Sequence, residues 1–341
     1  MKRICAWLLA LLLCMAAVSA AAEDIVWQET DGRITGEFTG PVIESLTLDM
    51  PVPQDVPDPC MFVTQDIRIT QRDLEEALSG LIDEDHAYSF NIDPGKTYSN
   101  YVFNDEACEV ATDYFGEPKI SQRADKAFEL EQAKKTVDTF LNRLNVDYQL
   151  YFVGRVEDLF SPRYPISDVE AGHWEVTTAR EELEKDKYTI IVALYDIGGL
   201  PLGTMFYPNP RAKDGYDYGG AVYMVVDDTG KIRFAQLSNP KRYAKDADSE
   251  AEIIPWQTAL ETAICRRTQT PIHAKSARNY VTTFTDMRLC VFSTTDGKTY
   301  PVWRVMENCF YEAKDFKGND ETRGGYAWMY IDAITGAVVY D

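Results

Sequence analysis

Between Ser121 and Leu144 apolar residues return every three or four positions. Leu130, Ala133, Val137, Phe140, Leu141 and Leu144 share one stripe, and polar or charged residues fill the other face. That period predicts the clearest helix of the chain. A shorter amphipathic helix is predicted after Thr70, a suitable N-cap, with Leu74, Leu78 and Leu81 near one face. A third is predicted from Pro255, which suits a first helical turn, with Trp256, Leu260 and Ile264 in line. Thr177 to Asp186 is a further helix candidate. The remaining apolar stretches read as strands. "ESLTLDMPVP" alternates and then breaks on prolines, as an edge strand would. "PCMFVTQDIRI" follows, and residues 83–101 read as a loop with short strands. "YTIIVALYD" and "LGTMFY" flank a turn at Gly198 and Gly199, and "GGAVYMVVDDTGKIRFAQL" turns at Asp228, Thr229 and Gly230. "MRLCVFSTTDGKTYPVWRVM" and the closing "GGYAWMYIDAITGAVVYD" complete the set.

Two of these stretches match. Gly219, Gly220, Met224 and Asp227 fall on Gly324, Gly325, Met329 and Asp332 at one constant offset. After a one-residue insertion, Thr229 and Gly230 fall on Thr335 and Gly336. Upstream, "YDIGGLP" and "TDGKTYP" align Asp196 with Asp296 and Pro201 with Pro301. A helix is predicted before each block, so the chain reads as two copies of a helix followed by four strands. One sheet face would pack on the helix, and the other would meet solvent or the sister copy. The expected fold class is therefore α+β, a strand-rich N-terminal domain followed by two helix-plus-antiparallel-sheet repeats. The expected division is 1–22 as a leader, 23–118 as the N-terminal domain, 119–243 as the first repeat and 244–341 as the second.

The first residues read as a secretory signal. Lys2 and Arg3 precede an apolar run of about 15 residues, short of the about 20 that a membrane span needs. "AVSAAAED" then offers small residues for cleavage after Ala20, Ala21 or Ala22. Leu13 stands before Cys14, where a lipid-attachment signal wants a small residue. The expected product is a soluble protein outside the cytoplasmic membrane. The net charge of the 341 residues is −21 and grows more negative once Lys2 and Arg3 leave, which disfavours nucleic acid and anionic lipid as partners.

Candidate chemistry is sparse. Cys60, Cys108, Cys265, Cys290 and Cys309 follow the leader, an odd set without CxxC, so no zinc knuckle or thioredoxin-like site is expected. Cys60 with Cys108 is a possible bridge; Cys290 and Cys309 are poorly registered for one and read as buried free thiols. His86, His173 and His273 have no partner at helical spacing, and no HExxH, GxSxG, P-loop or dinucleotide glycine pattern occurs. Carboxylates are too many for a glycosidase pair to be picked out. Asp214 and Asp217 in one loop, and Asp315, Asn319, Asp320 and Glu321 in another, offer oxygen ligands that calcium accepts, without EF-hand order; solvated loop acids are the plainer reading. Tyr216, Tyr218, Tyr223, Trp303, Trp328 and Tyr330 lie near the repeat strands, as core or as an exposed row for peptide or glycan.

"TYPVWRV…YAWMYIDAITGAVVYD" resembles the PepSY-like units of Gram-positive envelope proteins, with their Pro-Val-Trp strand and closing Thr-Gly hairpin. "LTLDMPVP…FVTQDIRITQRDLEEAL" resembles the start of uncharacterised secreted proteins and lipoproteins of clostridia-like bacteria. The resemblance implies no catalytic residue and no cofactor or metal. The repeat, with no catalytic constellation in the sequence, points to a non-enzymatic exported binding or regulatory module at the cell envelope, whose partner is an envelope protein, a peptide or a glycan. The alternatives are a peptidase-inhibitory protein, or a secreted hydrolase using carboxylates that sequence does not single out.

Overall fold

The computed structural model describes residues 25–53, 61–95, 99–106, 127–155, 188–203, 220–246, 252–270, 278–293, 298–314 and 320–340. Three helices occur among them. Helix α1 (Gln71–Leu78) starts at Thr70, whose hydroxyl accepts from the Asp73 amide while the Asp73 carboxylate accepts from the Thr70 amide. This capping box satisfies two N–H groups that a helix start leaves open. Helix α2 (Ala127–Arg143) buries Ala133, Val137, Phe140 and Leu141, the expected stripe. Helix α3 (Trp256–Gln269) buries Ala259, Leu260, Ala263 and Ile264, with Pro255 at the N-cap, one position before the first turn. The candidate helix at 177–186 lies outside the described residues.

Two large sheets carry the rest. In the first, β1 (Gln28–Thr30), β2 (Arg33–Gly40) and β3 (Ile43–Pro51) lead to β13 (Arg278–Ser293), β14 (Thr299–Lys314), β15 (Asp320–Asp332) and β16 (Val338–Tyr340), in that spatial order. All neighbours there are antiparallel except β3 and β13, where Ser45 faces Val281 and Leu48 faces Phe284 in parallel. The second sheet runs β5 (Tyr88–Asp93), β6 (Asn100–Asp105), β11 (Ile232–Ser238), β10 (Ala221–Asp227), β8 (Tyr188–Ile197) and β7 (Tyr148–Arg155). Short β9 (Leu200–Pro201) folds back on β8. A separate two-stranded ladder joins β4 (Phe62–Asp66) to β12 (Lys241–Asp246).

This is a mainly-β protein. Sixteen strands against three helices, among the described residues, overturn the α+β expectation of an N-terminal domain followed by two helix-plus-sheet repeats. Strands from the N-terminal region enter all three sheets: β3 pairs with β13, β6 with β11 and β4 with β12. The physical reason is the sheet edge. A row of unpaired N–H and C=O groups along β13 or β11 needs a partner, and local periodicity does not say which distant strand supplies it.

Central strands of both sheets, β8 and β10 in one and β14 in the other, are buried on both faces. On β8, Ile191, Ala193 and Tyr195 belong to the helix-side core, while Ile190, Val192 and Leu194 belong to a second core between the sheets. The same split separates Trp303 and Val305 from Val302 and Met306 on β14, and Met329 and Ile331 from Trp328 and Tyr330 on β15. The layers are thus α2, the second sheet, the first sheet and α3. Trp303 Nε1 donates to the Ile254 carbonyl at 3.0 Å, fixing the approach to α3, and the Thr136 hydroxyl donates to the Gly230 carbonyl at 3.0 Å, fixing α2.

The matched glycine and aspartate positions have local physical causes. A Cβ on Gly220 would stand 2.3 Å from the Ser238 carbonyl oxygen, so only glycine fits this backbone crossing. Asp227 Oδ1 accepts from the amides of Thr229 and Lys231, both at 2.9 Å. Asp332 Oδ1 accepts from those of Ile334 and Thr335, both at 2.8 Å. Gly230 (φ 82°) and Gly336 (φ 75°) close the two turns in the left-handed region. These residues build turns.

Candidate functional site

A cleft of about 790 Å³ opens where β4, α1, the end of α2 and β12 meet. Its size suits a small ligand or a short segment. The β4–β12 register sets Arg242 opposite Gln65 and Lys241 opposite Asp66. Arg242 donates from Nε (3.2 Å) and Nη2 (2.9 Å) to Gln65 Oε1, and Lys241 Nζ, itself buried, reaches Asp66 Oδ1 at 2.6 Å. From the last turn of α2, Arg143 Nη1 donates to the carbonyls of Ala77 (2.9 Å) and Ser79 (2.7 Å). Those carbonyls end α1, so Arg143 both satisfies them and complements the helix dipole. Arg68, between β4 and α1, is exposed and has no hydrogen-bond or ion-pair partner among the described residues.

The lining charges divide unevenly. Glu76 pairs with Arg72 at 2.7 Å and Asp66 with Lys241, both cations outside the lining. Hydrogen bonds from the Thr70 hydroxyl and amide hold the Asp73 carboxyl below its ordinary range, so it is ionised and occupied by the cap. The three arginines meet neutral acceptors or none: two carbonyls for Arg143, an amide oxygen for Arg242, solvent for Arg68. Ile67, Ala77 and Leu144 supply apolar wall. The cleft can therefore take carboxylates through arginine forks, with an apolar group beside them. Among the described residues its lining contains no aromatic ring.

The residues singled out by sequence reasoning lie elsewhere. Tyr223, Trp303, Trp328 and Tyr330 are core, so they form no exposed row; Tyr216 and Tyr218 lie outside the described residues. Asp214, Asp217, Asp315 and Asn319 also lie outside them, while Asp320 and Glu321 pair through their backbones with Lys314 and Ala313. Among the described residues no group of three or more His, Cys, Asp or Glu side chains gathers as metal ligands would. His86 joins a network in which Arg233 bridges Asp105 (2.6 Å) and Asp227 (2.7 Å), with His86 Nδ1 2.9 Å from Asp105. That network ties the β10–β11 turn to β6. His173, His273, Cys60 and Cys108 lie outside the described residues. Cys290 faces Val302 and Cys309 faces Thr282; both are buried, Cys265 is exposed, and none of the three is in a disulfide. Nothing local in the sequence marks Arg68, Arg143 and Arg242 as neighbours, because long stretches of chain separate them and only the fold gathers them.

No family model matches the chain, and no curated protein matches it. Among solved structures the chain is similar to an uncharacterized protein from Eubacterium rectale ATCC 33656. The TM-score is 0.55 at 16% identity, over 91% of this chain and 93% of that one. At that identity the likeness is one of fold. Among the described residues no helix is long and apolar enough to cross a membrane.

Proposed function

We propose that this is an exported, non-enzymatic binding protein of the bacterial cell envelope whose α1 cleft takes a short acidic peptide segment. The observation that carries the reading is the unequal pairing of the lining charges: the acids are held by caps and by cations outside the cleft, and among the described residues Arg68, Arg143 and Arg242 are left without carboxylates. A peptide is favoured over a glycan because the lining offers guanidinium forks and aliphatic wall, without an aromatic platform for a sugar face. The overall charge of −21 selects against long polyanions, so the ligand carries only a few carboxylates. Export rests on the leader-like N-terminus.

The test is fluorescence anisotropy with labelled Glu-Glu-Leu-Glu-Glu, beside the same peptide with glutamine for glutamate. The acidic peptide is expected to bind, more tightly at low salt, with the glutamine form and the Arg68→Ala/Arg242→Ala double variant weaker by about tenfold. Equal binding of both peptides, or of both proteins, refutes the reading.

A further inference from the structure

We propose a second binding site, buried between the two large sheets, in which Arg304 holds the carboxylate of a small molecule. Arg304 projects from β14 into the inter-sheet core and is 1% exposed. Among the described residues its Nε, Nη1 and Nη2 have no hydrogen-bond acceptor, so a guanidinium with five N–H donors is enclosed without one. Its Cζ lies 4.5 Å from the ring centroid of Trp328 and 5.0 Å from that of Tyr151, one ring from each sheet. These faces attract the cation but accept none of its in-plane hydrogen bonds. Enclosing a cation without acceptors is strongly unfavourable, so the fold has reason to capture one.

The charges nearby leave the same vacancy of sign. Arg288 also lies over Tyr151, at 5.2 Å, and bonds Asp286 at 2.8 Å. Asp286 is thus bonded by Arg288 and reaches Arg304 only through its charge. Cys290 supplies no second anion, because burial pushes its thiol up to about 11 against the pull of Arg304. Among the described residues Arg304 therefore lacks a paired anion and acceptors for its fork, beside the rings of Tyr151 and Trp328, which are tilted at 45° with centroids 6.1 Å apart. A carboxylate meets both needs, since its two oxygens match the guanidinium fork side by side. A tetrahedral oxyanion matches the charge but does not present two coplanar oxygens alone to the planar fork. The site is separate from the α1 cleft: Arg304, Tyr151 and Trp328 do not line it.

The experiment is thermal unfolding and tryptophan emission of the purified protein in a zwitterionic buffer, titrated with sodium acetate, sodium phosphate or sodium sulfate. Acetate is expected to raise the melting temperature and change the emission saturably. Arg304→Met is expected to melt no lower than the parent without added anion, since it removes an unpaired buried charge, and to lose the saturable response. No saturable response of the parent to acetate overturns the proposal, as does one confined to phosphate or sulfate. An equal acetate response in Arg304→Met, or a variant that melts well below the parent or fails to fold without anion, overturns it as well.

Discussion

Arg267 of α3 and Glu307 of β14 meet as a two-pronged ion pair with both side chains wholly out of solvent. Arg267 Nε donates to Glu307 Oε2 at 2.7 Å, Nη2 donates to Oε1, and the Thr282 hydroxyl adds a bond to Oε2 at 3.4 Å. A pair enclosed this fully contributes little net stability over an apolar substitute, but each half depends on the other. Glu307→Gln is therefore expected to lower unfolding stability by about 3–5 kcal/mol, and Arg267→Met/Glu307→Leu to recover most of it. Urea unfolding of the two variants checks this. A double variant no better than the single one contradicts it.

Acid should act through the two turn aspartates. Burial alone would raise Asp227, but bonds from Thr229, Lys231 and Arg233 outweigh it and hold the carboxyl below its ordinary value. Asp332 is likewise pushed up by burial and brought down further by Tyr300 and the amides of Thr335 and Ile334. A carboxyl lowered in the folded state stabilises above its unfolded pKa, and that stability is lost as pH falls through the folded value. Stability should thus be level above the ordinary aspartate range and decline below about pH 4. Asp332→Asn, which keeps an acceptor for both amides, should flatten part of that decline in denaturant titrations between about pH 2 and pH 6.

Gly220→Ala should cost about 1–3 kcal/mol, because the added carbon strikes the carbonyls of Ser238 and Asn239 at 2.3 and 2.7 Å. Gly32→Ala meets no atom within 4 Å and bears only the strain of its positive φ (73°), so it should cost about 1 kcal/mol. The difference in urea midpoint is the measurement. Equal losses would mean that the crossing at Gly220 relaxes freely.

Arg143→Ala is expected to have two effects, of which Arg68→Ala shares only the second. It removes both side-chain bonds to the end of α1, costing about 1–2 kcal/mol, and it weakens the acidic peptide. Arg68→Ala should weaken the peptide and leave the melting temperature unchanged. Calorimetry beside the anisotropy assay separates the two effects.

The sequence by itself determined what is local. The three- and four-residue spacing drew α1, α2 and α3, Thr70 announced its cap, and Asp227, Gly230, Asp332 and Gly336 announced their turns. Each of those signals acts over a few residues through backbone geometry or one hydrogen bond. The tertiary structure decided what depends on partners: that β3, β4 and β6 complete sheets made from distant segments, and that Trp328 and Tyr330 face a second sheet. It also gathered the cleft arginines. One clue lay in plain view. Arg304 stands inside the apolar run Val302–Met306, where a lone charge has to meet something buried, and only the packing of the two sheets says that it meets rings and, among the described residues, no acceptor.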